Sequence, residues 1–286
     1  MSGGRTVAVA PGRVNLIGDH TDYTGGYCLP IAIDRTIEVA VDPDEGSRVV
    51  ELFSEAEGTL ASVPLEVVDA AACEPEWGRY VAAIVKRIEP ARGCRGRVRS
   101  TIPAGSGLSS SAALEVAVAL ALGGGSLQPL ELARLCQDAE HEARGVPTGL
   151  LDQLASVFGL ADHALLIDCS DLSIVPRPLP SNDEVEIVVV AGEPRTLGQT
   201  PYGERVEQCR QIEELIGPLR VATLDDVRSI ADRTLRHRAR HVVGENGRVL
   251  AFADAMADGD VGDGSDHERE PPQSQRGLRV FHPGDR

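Results

Sequence analysis

The stretch from residue 94 to residue 125 constrains the fold most. CRGRVRSTI alternates like a strand, PAGSGL is a glycine-rich turn, and SSSAALEVAVALALGG reads as a helix ending near the glycines at 123–125. Glycines in such a turn let the backbone approach an anion closely. The helix behind it presents free N–H groups and the positive end of its dipole. Three consecutive hydroxyls, Ser109, Ser110 and Ser111, suit phosphate oxygens or Mg²⁺. A plain turn with one serine N-cap is the other reading, but a helix end needs one capping hydroxyl, not three.

The basic residues narrow the phosphate chemistry. Lys86 is the only lysine, so a Walker A loop, which needs Gly-Lys-Ser/Thr, is excluded. Any nucleotide phosphate must be held by backbone amides, hydroxyls, metal and arginine. The net charge of −16, from 28 basic and 44 acidic residues, argues against nucleic acid and anionic membranes as partners. Six scattered cysteines form no C-x-x-C pair, which argues against zinc ribbons and thioredoxin chemistry. With no apolar h-region in MSGGRTVAVAPGR and no long apolar window, the chain is expected in the cytoplasm. At 286 residues, roughly two domains are expected.

Elsewhere the pattern predicts a strand over 6–10 ending in a Pro11-Gly12 turn, and strands over 27–42 broken near Pro30 and Asp34. Further strands are predicted over 48–53, 164–169 and 184–192. Helices are predicted over 77–89, 129–144, 150–158, 203–217 and 223–235. From Asp263 the apolar periodicity fades, and the tail is expected to be disordered.

Two more segments concentrate polar residues. APGRVNLIGDHTDYTGG places Arg13, Asp19, His20 and Asp22 within ten residues, weak for zinc and better suited to the hydroxyls of a polyol, or a solvated loop. AEHEARGVPTGLLDQLAS carries Glu140 and Asp152. One acid could hold a metal while the other acts as a base, or both could be exposed helix-end acids.

Together these three segments resemble the GHMP sugar-kinase family, and APGRVNLIGDHTDYTGGYCLPIAID is similar to its galactokinase signature. With EWGRYVAAIVKRI and PYGERVEQCRQI the resemblance runs from about residue 7 to residue 261. It implies an α+β fold of two lobes: an N-terminal lobe like ribosomal protein S5 domain 2 (1–170) and an incomplete ferredoxin-like C-terminal lobe (171–262), followed by a tail (263–286). It also implies ATP-dependent phosphorylation of a sugar at its C1 hydroxyl, galactose first, with ATP and Mg²⁺. Gly105, Ser106, Gly107, Leu108, Ser109, Ser110 and Ser111 would wrap the ATP phosphates, and Ser54 would touch the nucleotide. Ser111 and Glu140 would bind Mg²⁺. Asp152 would be the base or orient the C1 hydroxyl, and Arg13 would stabilise charge and keep Asp152 ionised. Asp19, His20, Thr21, Asp22 and Tyr202 would bind the sugar. The expected partners are sugar and ATP alone, with the protein a monomer.

Two departures from the family pattern stand out. Asp19 replaces the usual Glu, which leaves room for another hexose or pseudo-sugar; a non-catalytic sugar and ATP sensor is the further alternative. The family's GGGFGG-like loop is also missing. Reading codons for His267 through Asp285 one base later permits MNESHRSL(R/S)EDFExSTPEI, similar to the family's MNESH-x-SL segment. A frame slip between Val261 and Asp266, a truncated second lobe and an impaired enzyme are therefore expected. Resequencing that junction tests the slip.

Overall fold

The computed structural model describes residues 4–146, 148–180, 186–188, 202–258 and 279–281. Strand β1 (Thr6–Asn15) runs straight through Pro11 and Gly12, where a turn was expected. Its sheet partner is β3 (Pro30–Asp44), and with one partner strand β1 tolerates the N–H that Pro11 lacks. Gly12 is required for a different reason. A Cβ there would lie 2.7 Å from the Leu108 carbonyl oxygen, which accepts the Arg13 N–H at 3.1 Å.

The chain divides into two units interleaved in sequence. The first is built from Met1–Val14, Ala32–Ala104 and Leu108–Gly159. In it β3 pairs antiparallel with β6 (Gly93–Ser100), β6 parallel with β4 (Val49–Ser54), and β4 antiparallel with β5 (Thr59–Pro64). β3 does not break at Asp34: Asp34 and Arg35 face solvent, so the strand carries them without interruption. The break expected near Pro30 is present, at Leu29, between β2 (Tyr27–Cys28) and β3. Helices α1 (Gly78–Ile88), α2 (Ser110–Ala121), α3 (Pro129–Arg144) and α4 (Leu151–Phe158) complete this unit.

Helix α2 contacts α1, α3 and α4, and buries nine of its residues, from Ala112 to Ala121. A helix apolar on all sides needs neighbours on all sides. Leu52, Ile84 and Leu154 are among the largest side chains fully buried in this unit. Each such burial is worth about 1.5–3 kcal/mol.

The second unit is built from Asn15–Ile31, Gly105–Gly107 and Leu160–Arg286. Strand β7 (His163–Asp168) lies antiparallel between β2 and β8 (Ser173–Pro178). Helices α5 (Tyr202–Ile216), α6 (Leu224–Ser229) and α7 (Arg233–Ala257) enclose Cys209, Ile212, Leu219, Val227, Ile230, Ala239 and Val242. The helix expected over 223–235 is two helices. Thr223 and Asp226 form a capping box that starts α6. The Asp232 carboxylate accepts the Leu235 N–H at 2.9 Å and starts α7. Between them Ile230 turns into the core, only 3% exposed.

Of the strand expected over 184–192, residues Glu186–Val188 form β9; the others lie outside the described residues. β9 pairs antiparallel with β10 (Arg279–Phe281). β10 comes from the tail whose composition predicts disorder, and at these three residues the tail is a strand instead: Val and Phe suit a ladder. All six cysteines are free thiols. Among the described residues no helix is long and apolar enough to cross a membrane.

Candidate active site

Within the first unit the fold joins three segments far apart in sequence. Asp152 stands in the first turn of α4. Its Oδ1 accepts Arg13 Nε at 2.7 Å, and the second guanidinium nitrogen lies 2.5 Å away. Its Oδ2 accepts the Ser109 hydroxyl at 2.5 Å. A forked cation on one oxygen and a hydroxyl on the other fix the carboxylate in both position and orientation. Arg13 and Asp152 retain 17% and 26% side-chain exposure, so the pair is reachable.

Ser109 occupies the N-cap position of α2 but makes no capping hydrogen bond. Its backbone is left-handed, φ 58°, as are Gly105 at 65° and Gly107 at 74°. Serine pays for that conformation, and the return here is the Asp152 contact. Ser106 places its Oγ in a buried position with no hydrogen-bond partner among the described residues. Leu108 is buried, while Ser110 is exposed and Ser111 partly so.

Ser111 donates its hydroxyl to Glu140 Oε1 at 2.9 Å. Glu140, 2% exposed on α3, also pairs with Arg144 at 3.0 Å and accepts the Thr148 hydroxyl at 2.9 Å. The fully buried Gln153 amide donates to Glu140 Oε2 at 3.1 Å and to Glu115 Oε2 at 3.0 Å. Burial, the Glu140 charge and, more weakly, the Asp152 charge push the Glu115 carboxyl well above the usual carboxylate range. His141 and Gln137 hold the Thr148 backbone, His141 by accepting its N–H at 2.8 Å. The turn entering α4, and hence Asp152, is thereby pinned to α3.

Ser111 and Glu140 fit one part of a Mg²⁺ shell. Both are hard oxygen donors, and Mg²⁺ keeps several waters and takes phosphate oxygens as well. Among the described residues no three His, Cys, Asp or Glu side chains form a metal cage. Ser54 closes its own turn: it is 5% exposed and its Oγ accepts the Glu57 N–H at 3.2 Å.

The second unit carries the Asp19–Asp22 segment. Thr21 is fully buried, its hydroxyl 2.7 Å from the carbonyl oxygens of both Gly18 and Tyr27. It closes the loop from inside. His20 has φ 67° and meets Tyr23 Oη at 2.9 Å through Nδ1 and Arg205 at 3.2 Å through Nε2. Burial, then Arg205, His241 and Arg238, lower its pKa to about 4. Asp22 opens a 3₁₀ turn, Asp22–Thr24. Tyr202 is the first residue of α5, and its side chain lies outside the described residues.

Arg220, His241, Glu245 and Asn246 lie outside the motif segments, while Thr148 and Gln153 lie within AEHEARGVPTGLLDQLAS without having been singled out. Arg220 pairs with Asp168, donates to the Gly25 carbonyl at 2.8 Å and lies 4.4 Å from the Tyr27 ring centroid. For His241 and Glu245 the i,i+4 spacing on one helix was the available sign.

The family profile described as "GHMP kinases N terminal domain" matches residues 79–160, and "Galactokinase galactose-binding signature" matches residues 2–43. The chain is 41% identical over 272 residues to a galactokinase from Chloroflexus aggregans, covering 89% of this chain and 69% of that protein. The crystal structure of Lactococcus lactis galactokinase complexed with galactose superposes with a TM-score of 0.82 at 30% identity, covering 91% of this chain and 71% of that one. Methanococcus jannaschii mevalonate kinase shares the fold, with a TM-score of 0.55 at 18% identity over 89% of this chain and 81% of that one. With this identity and coverage, the chain belongs to the galactokinase family of GHMP kinases.

Proposed function

We propose that this chain transfers the γ-phosphoryl group of ATP to the C1 hydroxyl of galactose, giving galactose 1-phosphate and ADP. The observation that carries this is Asp152, held by Arg13 on one oxygen and Ser109 on the other. A carboxylate so fixed can orient a sugar hydroxyl and accept its proton as the oxygen bonds to phosphorus and ADP departs. Arg13 neutralises part of the charge that develops. The loop Gly105–Ser111 wraps the phosphates with backbone N–H groups, and Ser54 touches the nucleotide.

When bound, Mg²⁺ neutralises phosphate charge, and Ser111 and Glu140 would hold it. Asp19, His20, Thr21, Asp22 and Tyr202 form the sugar side, with Thr21 acting by closing the loop. The domain reading remains two lobes, 1–170 and 171–262, with a tail from 263, and the enzyme acts as a cytoplasmic monomer.

A second sugar remains a specific reading because Asp19 stands where the family pattern has Glu, retracting the carboxylate by one methylene. The test is coupled ADP release with ATP and a hexose panel, on this chain and on a chain with the tail's frame restored, with Asp152→Asn as control. Galactose is expected to give the highest kcat/KM. Another hexose in first place moves the substrate; no sugar-dependent ADP release from either chain overturns the kinase reading.

A further inference from the structure

The loop from Gly18 to Tyr27 holds most of the residues assigned to the sugar, yet much of its anchoring comes from one helix more than 200 residues later. Glu245 on α7 is 6% exposed. Its Oε1 accepts the Gly18 N–H at 2.9 Å and the Asp19 N–H at 3.2 Å. Its Oε2 is held by both Nε and a terminal nitrogen of Arg248, at 2.9 and 2.6 Å. One turn earlier, His241 Nε2 meets the Asp19 carbonyl oxygen at 3.0 Å. One residue later, Asn246 Oδ1 accepts the Tyr27 N–H at 3.0 Å.

Three successive contacts therefore fix the backbone on both sides of Asp19 and at the far end of the loop. The fit leaves no slack. A Cβ on Gly26 would stand 2.2 Å from Asn246 Oδ1 and 2.9 Å from Thr21 Cβ. The loop needs such a clamp because His20 sits at φ 67°, which an unsupported histidine rarely keeps. A charged acceptor shared by two N–H groups is stronger than a neutral one.

We propose that Glu245 is a positioning residue for sugar recognition: by accepting the Gly18 and Asp19 N–H groups, with His241 and Asn246 beside it, it sets where the Asp19–Asp22 segment presents its side chains. Glu245 acts through the loop and does not touch the reacting atoms. Helix α7 thus tunes affinity for the sugar without entering the chemistry or the nucleotide side. This rests on the galactose reading above.

The experiment compares wild type with Glu245→Ala and Glu245→Gln. Glutamine keeps an Oε1 that can accept both N–H groups but loses the charge that Arg248 holds. Galactose KM, ATP KM and kcat are measured, with thermal melting and hydrogen exchange of the peptide spanning Gly18 and Asp19. Loss of a charged hydrogen bond predicts about a tenfold or larger rise in galactose KM for the alanine variant. ATP KM stays within about twofold, and glutamine recovers most of the loss. Exchange at the Gly18 and Asp19 amides accelerates in the alanine variant while the α2 and α4 amides keep their protection.

An unchanged galactose KM in the alanine variant overturns the proposal. So does a fall in kcat with a rise in both KM values and a lower melting temperature, occurring together in both variants. Should wild type show no galactose turnover, the galactose reading fails by itself, and exchange decides the clamp: unaltered Gly18 and Asp19 protection in the alanine variant overturns it.

Discussion

The two polar centres of this protein are built in opposite ways. In the first unit Arg13, Ser109 and Asp152 satisfy one another, as do Ser111 and Glu140, so the motif residues are each other's partners. In the second unit the motif residues close only part of their own loop, through Thr21 and the His20–Tyr23 contact. The loop around Asp19 leans on Glu245, His241 and Asn246, none of which belongs to a recognisable motif. A self-satisfied cluster reports its chemistry directly in its residue types. A loop that must present side chains outward spends its backbone on contacts supplied from elsewhere.

The contrast can be broken most sharply at Asp152. Asp152→Asn should lower galactose-dependent ADP release by about 10²–10⁴-fold, with melting unchanged, because the group lost is the proposed proton acceptor. An equal fall in melting temperature would instead make it a structural residue. Arg13→Lys keeps the charge but loses the fork on Oδ1, and a fall in kcat of about tenfold is expected, with galactose KM little moved. Ser109→Ala removes one hydrogen bond to Oδ2. It should cost about fivefold in kcat, roughly 1 kcal/mol, and pre-steady-state rates separate this from product release.

A different kind of effect belongs to the second unit and reads as stability against pH. His20 titrates near 4 in the folded chain against 6.5 unfolded, chiefly because it is buried and then because Arg205 stands beside it. Its neutral form is favoured by folding, so the contribution is complete above 6.5 and is lost as pH falls through that window toward 4. The slope should approach about 1.4 kcal/mol per pH unit there. Urea midpoints at pH 7, 6 and 5 for wild type and His20→Asn measure it as a difference. Parallel curves would refute it, and would mean the loop carries no buried imidazole.

The strand–turn–helix over 94–125 was legible because glycine, serine and apolar residues each have one efficient use there. Helix α3 was legible from Pro129 to Gly145, its start and stop residues. The run through Pro11 and Gly12 was not, since whether a proline interrupts a strand depends on how many neighbours that strand has. The division between α6 and α7 turned on the Asp232 cap and the burial of Ile230, neither of which periodicity reports. Strand β5 was missed because its inward side is only Ala61 and Val63, too slight an apolar alternation to stand out until β4 and α1 supply a core side.

By itself the sequence determined the chemical alphabet of the site. One lysine ruled out a Walker A loop, three serines followed a glycine turn, and Arg13, Glu140 and Asp152 were singled out as the groups to act. Only the tertiary structure decided the pairings: that Ser109 serves Asp152 instead of capping α2, that Thr21 faces inward, and that Glu245 holds Asp19 in place. Residue type sets what a group can donate or accept, a local property. Which partner it meets depends on chain closure across tens to hundreds of residues, and local pattern carries no record of that distance.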